Sequence, residues 1–224
     1  MADTKAELIA AATEVLRESG FSGASARKIA QRAGCNQALV FYHFGSVPDL
    51  LVAALQDVST RRMEAYQGLL EHTGTLADLA SAARVVFEAD LDAGHVRVLT
   101  EMISGAQSVP GLGERVSQVL APWRAFAQDA VTEVLAASPL GPVLPPEQVA
   151  HAVVAGLLGL EMLASLDGDR QAALALFDRA RTLAETLDRL RPLASLLAAL
   201  PRFRPGSPGS RKDPGNHEET PDAD

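Results

Sequence analysis

Cysteine is nearly missing from this chain. Cys35 is the only one, so no intramolecular disulfide can form and no Cys-based zinc site with four ligands can be assembled. A reducing, cytoplasmic setting is the expectation. Aromatic residues are scarce at 4%, with a single tryptophan, Trp123. No alternating run of β-branched residues occurs, which removes the usual sign of a strand. The start, Met-Ala-Asp-Thr-Lys-Ala-Glu, has acidic residues and no apolar segment, so no signal peptide is expected. The most apolar stretch, 149–166, carries His151 and Glu161 and is short of the ~20 residues a bilayer span needs. It predicts a buried helix of a soluble domain, and no membrane partner.

Enzyme signatures are also missing. No Gly-x-Gly-x-x-Gly follows a strand, and there is neither a phosphate-binding Walker loop nor a His-Glu-x-x-His. Glu147 with His151, and Asp92 with His95, are only fragments of metal-ligand spacing; a di-iron bundle needs Glu-x-x-His twice plus two carboxylates. No metal or cofactor is expected.

What the chain does have is length and apolar content. Its 224 residues, 47% hydrophobic and 21% charged, can bury a sizeable core. The net charge of −8 is unevenly placed: residues 1–50 balance to zero, residues 51–200 carry −7 and residues 201–224 carry −1. From Phe21 to Pro48 no acidic side chain occurs, while Arg27, Lys28 and Arg32 sit there. A small positive island is attached to an acidic body, the arrangement expected of a local nucleic-acid face. Three lysines against 17 arginines fit a bacterial source of high GC content.

Apolar spacing is helical almost throughout, and Gly and Pro breakers divide it. The pattern predicts helices near 4–19, 26–33, 37–43, 47–71, 76–93, 95–107, 112–137, 147–166, 169–190 and 193–200. The fold class is therefore all-α, with a three-helix head at 1–46, a helical body at 47–200 and a disordered tail at 201–224.

Ser25 is a good N-cap for a helix with Arg27 and Lys28 in its first turn, where cations oppose the helix dipole and need another purpose. Gly34 can end that helix, and Asn36 can cap a second short one. Helix, glycine turn and short helix is the helix-turn-helix pattern, whose second helix enters the major groove. Ile29, Ala30, Cys35, Val40 and Phe44 would face the core, joined there by Phe41. Gln37, Ala38, Leu39, Tyr42 and His43 would face outward. Gln pairs with adenine, small apolar groups touch thymine methyls, and Tyr and His reach phosphates.

The run from Gly20-Phe21 through Ile29-Ala30-Gln31-Arg32-Ala33-Gly34 to Tyr42-His43-Phe44 resembles the DNA-binding domain of the TetR family of bacterial transcriptional regulators. The resemblance implies that Ser25, Tyr42 and His43 hold phosphates, and that Arg27, Gln37, Ala38 and Leu39 lie towards the bases. Val47-Pro48 departs from the family pattern, in which a lysine usually opens the fourth helix; a cationic phosphate contact is lost there.

The resemblance further implies a homodimer on palindromic operator DNA, with a small-molecule effector in the body. The last two long helices, joined by Asp167-Gly168, would form an antiparallel hairpin and a four-helix interface through Val153, Gly156, Leu160, Leu174, Phe177 and Leu183. An effector cavity would be lined by Met63, Tyr66, Phe87, Leu99, Met102, Ile103, Trp123, Phe126 and Met162, with Glu101 and Glu161 as polar handles. Such a lining favours a lipophilic or cationic molecule. Repression released by that molecule is the expected function. A constitutive dimeric DNA-binding protein, or a helical-bundle carrier or enzyme, are the alternatives.

Overall fold

The computed structural model describes residues 4–70, 74–136, 138, 141 and 143–199, and all regular structure among them is helical. Nine helices follow in order among these residues: α1 (Thr4–Gly23), α2 (Ala26–Ala33), α3 (Ala38–Phe44), α4 (Val47–Leu70), α5 (Leu76–Ala93), α6 (His95–Ala106), α7 (Leu112–Ala136), α8 (Pro146–Asp167) and α9 (Gln171–Ala199). The tail expected at 201–224 lies outside the described residues.

Boundaries follow local chemistry. Thr75 and Asp78 form a reciprocal capping box at the start of α5, each side chain bonding to the other's backbone N–H. Pro145 and Pro146 open α8, where the missing N–H groups would have had no helical partner. Two expectations fail. The break predicted at Pro192 does not occur, and the described part of the helix expected at 193–200, as far as Ala199, is the end of α9. A proline removes one helical hydrogen bond without forcing a stop, as Pro122 within α7 also illustrates. At the other end α1 does not stop at residue 19: Gly20 leaves helical geometry (φ 69°, ψ −179°) and one further turn runs to Gly23.

One buried cluster joins head and body. Leu8, Val15 and Leu16 of α1 pack with Ile29 of α2 and Val40 of α3, and the same cluster continues through Leu50 and Leu51 of α4 to Val98 and Met102 of α6 and Leu112 of α7. The head therefore moves with α4 and α6 rather than on a free linker. A second cluster centres on Phe87 of α5 against Phe177 of α9, with ring centroids 5.3 Å apart. A third pairs Val131 and Leu135 of α7 with Ala150 of α8.

The hairpin expectation needs correction. Gly168 turns the chain in the left-handed region (φ 72°), yet α9 then lies along α5 while α8 lies along α7. Leu174 is buried, and Phe177 and Leu160 pack on Phe87 or its neighbours; Val153 packs in the third cluster. These four of the six expected interface residues are engaged within the chain. Gly156 and Leu183 are exposed, together with Met162, Leu163, Leu166 and Leu176. The helix 146–166 is long and apolar enough to cross a membrane by length and composition, and little of it is buried, contrary to the buried helix expected.

Candidate nucleic-acid interface and internal cavity

The Ser25 hydroxyl accepts from the Lys28 N–H at 3.3 Å and so starts α2. Gly34, at φ 68°, closes it in a conformation that a side chain would strain, and the Cys35 N–H donates to the Ala30 carbonyl at 3.0 Å. The Asn36 side chain accepts from the Ala38 N–H at 2.9 Å, which starts α3. Short polar contacts thus fix both ends of the turn. Ile29, Ala30 and Val40 are buried, Cys35 and Phe44 half-buried, as the pattern predicts.

Ser25, Arg27, Lys28, Gln37, Ala38 and Tyr42 are exposed, Tyr42 by 81%, and His43 is half-buried with its ring 5.0 Å from that of Tyr42. Two side chains differ from expectation. Leu39 is half-buried against the core instead of facing freely outward, and Phe41, expected in the core, is 48% exposed beside Tyr42. A seven-residue helix has room to bury only the face carrying Val40 and Phe44, so Phe41 turns to the surface. Within the positive island Arg32 pairs with Glu18, and Lys28 donates to the Ser19 hydroxyl. Arg27 has no ion pair among the described residues, which leaves its charge available at the surface.

Where α4 begins, Ser46 and Asp49 bond to each other reciprocally: the Asp49 N–H donates to the Ser46 hydroxyl at 3.2 Å, and that hydroxyl donates to the Asp49 carboxylate. Arg115 of α7 binds the same carboxylate at 2.7 Å. The junction without the family's lysine is held by an anion and its partner arginine.

The body holds a partly open cavity of about 260 Å³ between α4, α5, α6, α7 and α8. Tyr66, Leu99, Trp123 and Phe126 line it, with Glu161. Met63, Phe87, Met102, Ile103 and Met162 do not. Phe87 is sealed against α9, Met102 lies in the core under the head, and Ile103 and Met162 are exposed. Glu101 is not a handle of the cavity either: its carboxylate accepts from the Phe21 N–H at 2.9 Å, at the break after Gly20. Helical spacing identifies buried faces here without saying which buried face borders a space.

One wall is a polar hub that the spacing does not reveal. Asp90 of α5 is fully buried; it is bound through two oxygens by Arg62 of α4, with Nε at 2.8 Å, and accepts from the Tyr66 hydroxyl at 2.9 Å. His95 of α6 lies 3.0 Å from it. The sequence spacing sets Asp92 beside His95, but Asp92 instead meets Arg170 at 2.8 Å. Burial, with Arg62 and Arg17 near, pushes the His95 imidazole down to about 4. Burial pushes the Tyr66 hydroxyl up as well. The Arg62 guanidinium lies over the Trp123 ring, 4.6 Å from its centroid, and the indole N–H donates to the Ser59 hydroxyl at 2.8 Å. Arg62, Tyr66 and His95 also border a space of about 600 Å³ between α1 and α4, so the hub separates the cavity from the head.

A short capped helix pair with an exposed polar second helix, set on a helical body with its own cavity, defines a helix-turn-helix protein. Residues 8–54, which run from α1 into α4, match the bacterial regulatory proteins of the tetR family. An uncharacterized HTH-type transcriptional regulator of Mycobacterium tuberculosis is 29% identical over 129 residues. That match covers 57% of this chain and 66% of the relative, so the chain spans just under two thirds of the length of the curated relatives it matches. Among solved structures, a putative TetR-family transcriptional regulator from Rhodococcus sp. shares the fold at a TM-score of 0.69 with 20% identity, covering 82% of this chain and 99% of that one. The transcriptional regulator FadR from Bacillus subtilis, solved in complex with stearoyl-CoA, follows at 0.66 and 17%, covering 80% and 96%. The family and these neighbours are transcriptional regulators rather than enzymes.

Proposed function

We propose that the chain is a cytoplasmic, homodimeric transcriptional repressor that binds palindromic operator DNA through two α2–α3 units and is released when a small molecule fills the cavity. The observation that carries the DNA reading is the pairing of a doubly capped turn with the exposed set Ser25, Arg27, Lys28, Gln37, Ala38, Tyr42 and His43, within the stretch from Phe21 to Pro48 that lacks acidic side chains. Phe41 joins them as an apolar group able to meet a thymine methyl. Residues 4–46 act as the reading head, and residues 47–199 as effector and dimerisation body.

The open faces of α8 and α9 support the dimer. Gly156 has no neighbouring atom within 4 Å of where its Cβ would be, Leu163 and Leu166 of the same helix are exposed, and so are Leu176 and Leu183 of α9. A second copy would cover them in a four-helix interface.

Release runs through α6. Leu99 borders the cavity, His95 stands at the hub, and Glu101 with Gly105 meets Phe21 of the head. A ligand that needs a wider cavity displaces α6, and α6 carries α1 with it. DNA and ligand then favour different separations of the two heads, and each weakens the other by the same coupling energy. The test is a gel shift with the DNA upstream of the protein's own gene, with and without ligand. Failure to shift any such fragment, by a chain that sediments as a dimer, would overturn the reading.

A further inference from the structure

Among the described residues Glu161 is the one acidic side chain that lines the cavity, and it is fully buried with neither carboxylate oxygen hydrogen-bonded to any of them. Buried carboxylates are normally held by hydrogen-bond donors, since burying the charge without them is costly. Arg62, the guanidinium whose charge reaches it, is committed to Asp90 and Trp123. The carboxyl therefore has acceptor capacity beside an apolar space.

A charge inventory fixes what that space accepts. From α4 come Arg62 and Tyr66; from α7, Arg124; from α8 itself, His151; the side chains contributed by α5 and α6 are apolar. Arg62 is neutralised by Asp90, Tyr66 carries no charge, and Arg124 and His151 are exposed at the rim. An ionised Glu161 leaves the buried set one negative charge in excess. A ligand carrying one positive charge cancels it.

We infer that Glu161 is the recognition group for a lipophilic ammonium ligand, whose N–H groups donate to the two unpartnered carboxylate oxygens while its hydrocarbon part fills the cavity between Leu99, Trp123 and Phe126. The inference rests on the reading of this cavity as the effector site. It narrows the effector from lipophilic or cationic molecules in general to organic cations with N–H donors. Burial pushes the Glu161 carboxyl up to about 7, so near neutral pH it is divided between its two forms, and ammonium binding selects the charged one. No proton needs to leave the ligand: the carboxyl gives its proton to solvent and the ammonium takes its place.

The test compares phenethylammonium with propylbenzene, an uncharged molecule of the same shape, by calorimetric titration of the full-length protein. The cation is expected to bind at least tenfold more tightly than propylbenzene at about pH 8.5. That advantage falls by roughly thirtyfold on going to about pH 5.5, where the carboxyl is protonated. Glu161→Gln is expected to lose the preference for the cation and its pH dependence while still binding propylbenzene, which shows the cavity intact. Equal affinity for the two ligands, no binding of the cation, or an unchanged cation affinity in Glu161→Gln each overturns the inference. A gel shift separates the two readings: Glu161-dependent cation binding that leaves operator DNA bound upholds the ligand class and refutes the effector role of the cavity.

Discussion

The Phe21 N–H donates to the Glu101 carboxylate at 2.9 Å, across 80 residues of sequence. Gly20 makes the bond possible, because its φ of 69° turns that N–H out of the helix and towards α6. Beside it the Phe21 ring lies so close to Gly105 that a Cβ there would stand 2.4 Å from it. Head and body are latched at this point.

Glu101→Ala should therefore cost about 1.5–3 kcal/mol of stability, the range for a hydrogen bond to a charged group. It should also loosen coupling: ligand affinity stays near wild type, while the ligand concentration that releases DNA rises several-fold. Titration calorimetry and a gel shift on the same preparation check both. An unchanged release curve would show that the latch is only structural.

The head is legible in the sequence because its chemistry is local. Ser25, Gly34 and Asn36 act within four residues of themselves, and the acid-free stretch around Arg27 and Lys28 is visible as composition. The body is legible as helices, and less so as a site. Met102 and Phe87 have the same periodicity as Leu99 and Trp123, yet the first two meet other helices and the last two meet a cavity. That difference is set by helix crossing, which no single segment encodes. For the same reason spacing assigns Leu174 and Phe177 to a subunit interface: their stripe says only that they are covered, and α5 is what covers them. The Arg62–Asp90 pair joins residues 28 apart on different helices and leaves no mark in either one.

Glu161 should make stability depend on pH in a direction unusual for a carboxylate. Its folded-state value, raised from 4.5 to about 7, means that the folded chain holds a proton the unfolded chain has released in that window. The associated stability is complete below about 4.5 and is lost as the pH rises through about 7, up to about 3 kcal/mol by pH 8. His95, lowered to about 4, titrates with the opposite slope, but it does so equally in both proteins when wild type is compared with Glu161→Gln. The variant should be more stable than wild type at about pH 8 and nearly equal at about pH 4.5. Denaturant midpoints at the two pH values decide this, and a constant difference would show that the carboxyl is not held neutral.

Gly156→Leu should abolish the dimer without harming the subunit. The position is exposed within the chain, with no atom near the site of a Cβ, and replacing glycine inside a helix favours the helix by up to about 1 kcal/mol. Any loss of association then reports on the partner copy. Sedimentation should show a monomer whose melting is no worse than that of a wild-type monomer at the same concentration. A Gly156→Leu variant that remains dimeric would place the interface away from this strip of α8.

DNA reading divides between charge and pattern, and a small set of substitutions separates them. Tyr42 is 81% exposed at the end of α3 and is assigned to a phosphate, so Tyr42→Phe should weaken binding to all sequences alike. Gln37 stands at the start of the same helix, exposed, where a side-chain amide can bond adenine through two atoms. Gln37→Ala should cost about 1–3 kcal/mol on the preferred operator and little on operators altered at one base pair of each half-site. Arg27→Ala, which removes a surface charge that has no ion-pair partner among the described residues, should also flatten the salt dependence of binding, because one fewer counterion is displaced. The three variants are compared on a panel of operators with single-pair changes at two salt concentrations. A Gln37→Ala variant that loses affinity equally on every member of the panel would make Gln37 a backbone contact and leave base reading to Ala38 and Phe41.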